Sequence, residues 1–486
     1  MTTYDFSEQD LKQLDQINTL YTSQTAKPDI VASKLNMQPF WEYLKTCEDY
    51  HTSKTFLTTG YTHDMENMLA LYVINDLIDK KYLTTVIRDY GLPPTSITEN
   101  PFAEDGILNH FVAEDGTLYF ISKYCQLDVM WTAVLVYYAW YKHIHPRGVH
   151  PFIAQTKMPP QLDYPKQARV AILGDWGTGD WDDKGQDCCP AQLVIDGINS
   201  LKPDYIVHLG DVYYAGTSNE EREHLLGLLK NTKKAKLYTM NSNHEMYDGA
   251  NGLFKVALNN PKFVEQKGSS YFAFEIGNWV LVGLDSAYYD DSELYMSGSL
   301  YNDRGGQQQI TFLKTIKALN KPILLMTHHN GIGIKDHKFN INTKLFNQVV
   351  KALDGQLPDM WYWGHVHNGL VYNTDALKDV SKLEIPQSTT QQTPRLRCCG
   401  HASMPFGNGS GFYTEEGDKQ VMREELLYYS HTPLEAKHPT LSQKERVLNG
   451  FAILDINGSE VVETFYEVSN TYNGQPKAVW TSSSSQ

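Results

Sequence analysis

Five short apolar segments of this chain each run directly into polar residues, and this repeat is the feature that most constrains the fold. Helical patterns lie between several of them, one opened by Pro190, one near 306–319 and one near 343–353. Alternating strands and helices of this size predict an α/β layered core. The five segments are RVAILGD (to Asp175), DYIVHLGD (to Asp211), AKLYTMNSNHE (to Glu245), PILLMTHH (to His329) and DMWYWGHVH (to His367).

Two β-hairpins are predicted beside this alternating pattern. One is YFAFEI-GN-WVLVGLDS, with Gly277-Asn278 as the turn, and the other is GFAILDI-NG-SEVVETFYEV, with Asn457-Gly458 as the turn. Such dipeptides between apolar runs favour tight two-residue turns. The second hairpin indicates an antiparallel edge or a second sheet near the end of the sequence.

Residues 1–160 have a different pattern. Their apolar residues recur at three- and four-residue spacings, which predicts a mainly helical N-terminal domain. Prolines at 159, 160 and 165 mark a boundary, so a second domain is predicted over 166–486. The role of the first domain is open, and it is a candidate for binding a protein partner.

The charge balance disfavours some partners. Lys and Arg number 42 and Asp and Glu 57, giving a formal charge of −15. Nucleic acids and anionic membranes both require a basic face, so neither is an expected partner. The run Val129–Tyr141 is shorter than the roughly 20 residues that a spanning helix needs.

Compartment is inferred from missing signals and from cysteine usage. MTTYDFSEQD lacks the basic start and apolar centre of a secretory signal, which predicts a cytoplasmic protein. The six cysteines, which include the pairs Cys188-Cys189 and Cys398-Cys399, contain no CxxC motif. We expect mostly reduced thiols, with a bridge between the two pairs left open.

The polar strand ends predict a metal centre. In open α/β sheets, sites form beyond the carboxyl ends of the strands. Two Asp, one Asn and several His at successive strand ends would leave desolvated groups unless a cation binds them. Such a set exceeds the four ligands of one tetrahedral ion, which indicates two metals sharing a carboxylate. His365 and His367, two residues apart on an extended segment, point the same way, and Gly364 allows close approach of the backbone.

The ordered motifs GDWG, GDVYY, SNHE, a strand ending in His, and GHVH resemble the calcineurin-like metallophosphoesterases over about residues 167–370. The tyrosine in GDVYY resembles the purple acid phosphatase branch. The resemblance implies an αββα sandwich and a binuclear centre. It implies a first metal held by Asp175, Tyr214 and His367, a second held by Asn243, His328 and His365, and Asp211 as the bridge.

Some assignments within this set stay open. Tyr213 is the alternative to Tyr214, and His329 competes with His328. A phenolate ligand implies iron(III) paired with zinc, iron or manganese. The usual glycine before the Asn-His pair is Ser242 here, which narrows the site or shifts its loop.

The resemblance also implies an activity, the hydrolysis of phosphate esters by a metal-activated hydroxide, as in an acid-phosphatase-like phosphomonoesterase. His244 would donate a proton to the leaving oxygen, and Glu245 is a candidate to orient it. His329, His401 and Arg397 are candidates for substrate binding.

Two other functions remain possible at this stage. One is a phosphodiesterase acting on a small-molecule or nucleotide diester, since the metal core is the same. The other is a metal-containing binding or scaffold protein without turnover, for which Ser242 is the only support. A nuclease is disfavoured by the charge of −15.

Overall fold

The computed structural model shows two β-sheets stacked face to face, with helices against their outer faces. The described residues are 108–112, 118–122, 138, 141–142, 146–155, 164–177, 189–232, 234–335, 338–341, 343–404, 412–416, 419–430, 448–469 and 474–482. Most of the predicted helical domain, residues 1–160, lies outside them. The part of it that is described includes a β-hairpin, formed by β1 (Leu108–Val112) and β2 (Leu118–Ser122).

The remaining strands, in chain order, are β3 Gln167–Leu173, β4 Tyr205–His208, β5 Lys236–Thr239, β6 Phe272–Ile276, β7 Trp279–Gly283, β8 Ile323–Thr327, β9 Gly333–Lys335, β10 Lys338–Asn340, β11 Met360–Trp363, β12 Gly369–Tyr372, β13 Arg395–Cys399, β14 Tyr413–Glu416, β15 Lys419–Met422, β16 Leu426–Tyr429, β17 Asn449–Asn457, β18 Glu460–Val468 and β19 Lys477–Thr481. The α-helices are α1 Pro190–Ser200, α2 Ser218–Glu220, α3 Asn243–Tyr247, α4 Gln307–Lys317, α5 Lys344–Ala352 and α6 Thr374–Asp379. Shorter or π-type turns cover Pro146–Gly148, Glu221–Leu226, Leu228–Asn231, Leu253–Ala257, Pro261–Gln266 and Glu293–Tyr295.

The first sheet has the strand order β19-β18-β17-β3-β4-β5. Strands β3, β4 and β5 are parallel, and β17 joins β3 antiparallel. Helix α1 connects β3 to β4 and begins at Pro190, which occupies the first helical turn as predicted. The C-terminal hairpin therefore belongs to the same sheet as the first three polar strand ends.

The second sheet has the order β16-β12-β13-β11-β8-β7-β6. Its centre, from β7 through β8 and β11 to β13, is parallel. Strands buried on both sides are typical of parallel sheets covered by other layers, and β8 and β11 are buried at every position.

Three apolar clusters hold the layers together. One lies between the sheets and contains Ile172, Phe274, Met326 and Phe465. The others lie on the outer faces, one with α1 and one with α4 and α5. This helix–sheet–sheet–helix arrangement confirms the predicted α/β layered sandwich.

The two predicted hairpins are present. In the first, Ile276 pairs with Trp279, so Gly277-Asn278 forms the turn as predicted. In the second, Asn457 pairs with Glu460, so the turn is Gly458-Ser459, one residue later than predicted. Gly458 has a φ of 59°, a conformation in which glycine is favoured over other residues.

Part of the segment before the predicted boundary packs on this core. Tyr138 and Tyr141 are almost fully buried in the cluster that contains α1. The boundary near residue 160 stays a prediction. Among the described residues, no helix is both long and apolar enough to cross a bilayer. Cys398 and Cys399 are buried thiols whose sulfurs donate to the Asn368 and Ile172 carbonyls, so neither is in a disulfide.

Candidate metal centre

The polar residues that follow β3, β4, β5, β8 and β11 come together at one edge of the sandwich. The connecting loops are joined by main-chain hydrogen bonds, with Asp175 N–H donating to the Gly210 carbonyl at 3.1 Å and Gly364 N–H to the His328 carbonyl at 3.0 Å. Among the described residues, two groups of side-chain atoms lie close enough together to hold a metal ion. One group is Asp175, Asp211 and His328, and the other is His328, His329 and His365. His328 belongs to both.

Four of the predicted ligands have left-handed backbone conformations. The φ angles are 56° at Asp175, 72° at Asp211, 66° at His365 and 48° at His367. Asp and His adopt this region more readily than most residues. Even so, each such residue costs on the order of 1–3 kcal/mol, and such residues cluster at functional sites.

Two glycines allow the loops to approach. A Cβ on Gly364 would lie 2.6 Å from Asp175 Oδ2, the oxygen to which His365 N–H donates at 2.9 Å. Gly210 has a φ of 103°, and a Cβ there would lie 2.8 Å from Ser242 Cβ. The expectation that Gly364 allows close approach is confirmed.

The orientations of His328 and Asn243 follow from their hydrogen bonds. His328 Nδ1 lies 3.0 Å from the Leu209 carbonyl and must donate to it, which leaves Nε2 as an acceptor. Tyr247 donates its hydroxyl to the Leu294 carbonyl at 3.1 Å, so it accepts from Asn243 Nδ2 at 3.1 Å. Asn243 Oδ1 therefore faces His328 Nε2.

These two acceptors lie 2.9 Å apart. His365 Nδ1 and Asp211 Oδ1 lie 3.2 and 3.3 Å from the same His328 nitrogen. A proton on Nε2 would relieve the repulsion, but burial lowers the pKa of His328 to about 3. The donor set of carboxylate, amide oxygen and imidazole instead fits a divalent or trivalent metal ion.

The other half of the centre contains Asp175, Asp211, Tyr213 and His367. The Tyr213 hydroxyl donates to Asp211 Oδ2 at 3.1 Å and lies 2.8 Å from His367 Nε2. Asp175 Oδ1 lies 3.2 Å from His367 Nε2. Burial, and then the neighbouring Asp211, raise the pKa of Asp175.

Tyr213 rather than Tyr214 brings its hydroxyl to this half. Tyr214 contacts the site through its main chain, since its carbonyl accepts from His244 Nδ1 at 2.5 Å and its N–H donates to Glu220. The GDxxY register predicted Tyr214. The observed geometry favours the alternative, Tyr213, as the phenol ligand.

His244 lies beside the two groups, and His329 belongs to the second of them. His244 Nε2 is 4.0 Å from Asp211 Oδ2, its ring lies against Tyr213, and burial lowers its pKa. Both ring nitrogens of His329 have partners, with Nδ1 2.9 Å from Ser286 Oγ and Nε2 2.6 Å from the Tyr295 carbonyl. His329 therefore has the contacts of a supporting residue.

The two other predicted substrate residues lie elsewhere. The His401 ring is fully buried against Gly369 and Gly450, where a Cβ would come within 2.6 Å of its Nε2. Arg397 donates through Nε to Glu463 at 2.7 Å, within the layer between the sheets. These placements disfavour a role in substrate binding for either residue, and that role stays a prediction.

Two carboxylates that support the Asp211 loop were not identified from the sequence in this role. Glu245, proposed to orient His244, instead accepts from Val212 N–H at 2.9 Å and contacts Ser242 Oγ. Glu220 accepts from the N–H groups of Ala215 and Thr217 at 3.2 and 2.8 Å and completes a capping box with Thr217. The sequence T-S-N-E carries that capping signal.

Ser242, the departure from the family pattern, has a defined role. It is the N-cap of α3, accepting from His244 N–H at 3.0 Å, and its hydroxyl donates to Asp211 Oδ1. The serine thus adds a hydrogen bond to the predicted bridging carboxylate.

Part of the chain is similar to a known protein family. Residues 168–369 match the family model described as calcineurin-like phosphoesterase, which supports the predicted superfamily. No curated protein sequence matches the chain. The comparisons do not test the purple acid phosphatase branch, which stays a prediction.

GAP50 and PhoD are two of the solved structures that match part of this chain. GAP50, described as the anchor in the inner membrane complex of Plasmodium, is 15% identical with a TM-score of 0.40, and the match covers 65% of this chain and 88% of that one. PhoD is 11% identical with a TM-score of 0.42, and the match covers 67% and 70% respectively.

Proposed function

We propose that this chain is a hydrolase of phosphate esters that uses two metal ions at the strand-end cluster, with phosphomonoesters as substrates. The observation that carries the proposal is the pair of acceptors, Asn243 Oδ1 and His328 Nε2, held 2.9 Å apart beside Asp211 in a buried site. The match to calcineurin-like phosphoesterases supports the reaction class. The preference for monoesters rests on the tyrosine pair in GDVYY, which resembles the purple acid phosphatase branch.

The proposed ligands divide into two sets around a shared carboxylate. Asn243, His328 and His365 form one set, and Asp211 is the bridge. The other set is Asp175, His367 and one tyrosine, for which geometry favours Tyr213 and register favours Tyr214. The metals proposed are iron(III) with zinc, iron or manganese, since phenolate is a hard anionic donor.

When bound, two such ions would neutralise phosphoryl oxygens and supply a hydroxide nucleophile at neutral pH. The protein fixes the geometry in advance. The bond from His328 Nδ1 to Leu209 aims Nε2 into the site, and the Asn243–Tyr247–Leu294 hydrogen bonds aim the amide oxygen there. Ligands oriented by outer partners lose little freedom on binding.

His244 is proposed to donate a proton to the leaving-group oxygen. Its Nδ1 faces the Tyr214 carbonyl at 2.5 Å, which directs Nε2 toward the Asp211 side of the site. In the protonated ring, Nε2 can donate to the leaving-group oxygen as the phosphorus–oxygen bond breaks.

The test of the function is metal analysis of the purified chain together with hydrolysis of an aryl phosphate monoester and diester. We expect about two metals per chain, visible absorption from a tyrosinate–iron(III) pair, and faster turnover of the monoester. His365→Ala should abolish turnover and lower metal content. A chain that carries no metal and hydrolyses neither ester would contradict the proposal.

The role of His244 predicts a dependence on the leaving group. His244→Asn should slow an alkyl phosphate about 100-fold or more, because a poor leaving group needs the proton. An activated aryl phosphate, whose leaving oxygen is already weakly basic, should be slowed far less. Equal losses on both substrates, at unchanged metal content, would show that His244 does not protonate the leaving group.

A further inference from the structure

We propose that Tyr138 and Lys142, which lie before the predicted catalytic domain, are positioning residues for the Asn243 side of the metal centre. The inference rests on the proposed function, because it assigns these residues to the orientation of its ligands. The contacts run from Tyr138 and Lys142 to two tyrosines, Tyr247 and Tyr295, and from these to the site.

Tyr247 and Tyr295 each hold one residue of the site. The Tyr247 hydroxyl accepts from Asn243 Nδ2 and donates to the Leu294 carbonyl, both at 3.1 Å. The Tyr295 carbonyl lies 2.6 Å from His329 Nε2. The orientation of the Asn243 amide thus depends on where the Leu294 carbonyl is held.

Residues 290–298, the 290s loop, present these carbonyls in a defined conformation. Leu294 and Tyr295 have left-handed φ angles of 51° and 54°. Asp290 closes the loop by accepting from the N–H groups of Ser297 and Gly298 at 3.0 and 2.8 Å. A backbone in this region persists when its surroundings determine it.

Tyr138 and Lys142 supply part of those surroundings. The Tyr138 ring, 1% exposed, makes edge-to-face contacts with Tyr247 at 6.1 Å and with Tyr295 at 5.9 Å. The Lys142 ammonium lies 4.2 Å from the Tyr295 ring centroid and donates to the Ser292 carbonyl. Both residues therefore contact the 290s loop, whose Leu294 carbonyl accepts from Tyr247, the partner of Asn243.

A similar lysine–tyrosine contact far from the site serves as a control, because its loss would affect packing but not metal binding. Lys321 provides one, since its ammonium lies 4.4 Å from the Tyr164 ring centroid and 3.1 Å from Glu275. Lys321 precedes β8, whereas the metal residues follow that strand. Lys321→Met is therefore a matched control for Lys142→Met.

The experiment is titration of the metal-free, full-length chain with Zn²⁺ against a chromophoric chelator, with thermal unfolding measured in parallel. We expect Lys142→Met to weaken one of the two Zn²⁺ sites about 10-fold, as loss of an outer partner of a metal ligand does. Lys142→Arg, which keeps a cation over the Tyr295 ring, should retain the affinity for Zn²⁺. Lys321→Met should leave both sites unchanged.

A double variant tests the route of the effect. Tyr247→Phe removes the hydroxyl between Asn243 and Leu294, and should weaken the same site. If Lys142 acts through Tyr247, the double variant Lys142→Met/Tyr247→Phe should bind no more weakly than Tyr247→Phe alone. Full additivity of the two effects would overturn this route.

Two other outcomes would overturn the inference. Wild-type Zn²⁺ affinity in Lys142→Met would show that the contact supports packing alone. Equal weakening of both sites with a large drop in melting temperature would show general destabilisation. If the wild-type chain itself binds no Zn²⁺, the metal centre fails, and the proposed function is overturned together with this inference.

Discussion

Among the described residues, two buried clusters of charged groups differ in how their charges are balanced. The inter-sheet cluster consists of Arg397, Glu463 and Tyr362. The strand-end cluster surrounds Asp175 and Asp211. Both are excluded from solvent, with Asp175 and Glu463 fully buried, so each must satisfy its charges within the protein or through a ligand.

The inter-sheet cluster satisfies its charges by itself. Arg397 donates to both oxygens of Glu463, from Nε at 2.7 Å and from Nη2 at 2.9 Å. The Tyr362 hydroxyl donates to the same carboxylate at 2.7 Å. A bidentate pair of this kind is complete without further groups, so the cluster serves the architecture of the two sheets.

The strand-end cluster does not satisfy its polar groups by itself. Asp175 Oδ1 accepts no hydrogen bond from the described residues, and two acceptors, Asn243 Oδ1 and His328 Nε2, face each other. Burial and the nearby Asp211 raise the pKa of Asp175. The comparison teaches that a buried polar cluster indicates a ligand when its own donors do not match its acceptors.

The largest predicted effect is the loss of stability when the Arg397–Glu463 pair is broken. Glu463→Gln leaves the buried Arg397 without a counter-charge and should lower the free energy of unfolding by about 3–5 kcal/mol. Chemical denaturation at pH 7 measures this. Asp455→Asn, which removes an exposed partner of Arg169 at 2.7 Å, is the control and should cost less than about 1 kcal/mol. Similar costs for the two variants would contradict the distinction.

The same pair predicts a pH dependence. Burial raises the pKa of Glu463, but Arg397 outweighs it, so the pKa lies below its usual value. A carboxyl with a depressed pKa contributes stability above its unfolded-state pKa of about 4.3 and loses it as pH falls further. The acid-induced loss of stability should therefore be smaller in Glu463→Gln than in the wild type.

The second effect concerns the unbalanced cluster. Asp211→Asn keeps the size of the side chain, and Asn tolerates the φ of 72° at this position. It should reduce turnover more than about 100-fold, beyond the usual loss for an outer partner. Turnover is measured as hydrolysis of an aryl phosphate monoester. A wild-type rate in Asp211→Asn would contradict the bridging role proposed for Asp211.

Much of the fold could be predicted because its signals are local. The five apolar segments, the Gly277-Asn278 turn and the two helices near 306–319 and 343–353 each carry their pattern within about ten residues. The polar strand ends could also be predicted, because parallel strands bring their carboxyl ends to one edge. The close backbone approach at Gly364 could also be predicted from the sequence.

The rest depended on contacts between distant residues. Arg397, a candidate for substrate binding, lies on β13 and pairs with Glu463 on β18, a contact that no local pattern indicates. The left-handed backbone at the ligands has no sequence signal beyond the residue types. Glu220 is the exception, because its capping motif was readable.

The smallest effect distinguishes the two adjacent tyrosines within the strand-end cluster. Tyr213→Phe removes the hydroxyl that lies 3.1 Å from Asp211 Oδ2 and 2.8 Å from His367 Nε2. We expect about 10-fold weaker metal binding and, if iron(III) is bound, loss of the visible absorption. Tyr214→Phe is the matched control, because the main-chain contacts of Tyr214 with His244 and Glu220 are kept. Retained absorption in Tyr213→Phe with loss in Tyr214→Phe would restore the assignment made from the GDxxY register. The direction of adjacent side chains depends on backbone torsion angles, so the spacing of the motif alone does not decide between them.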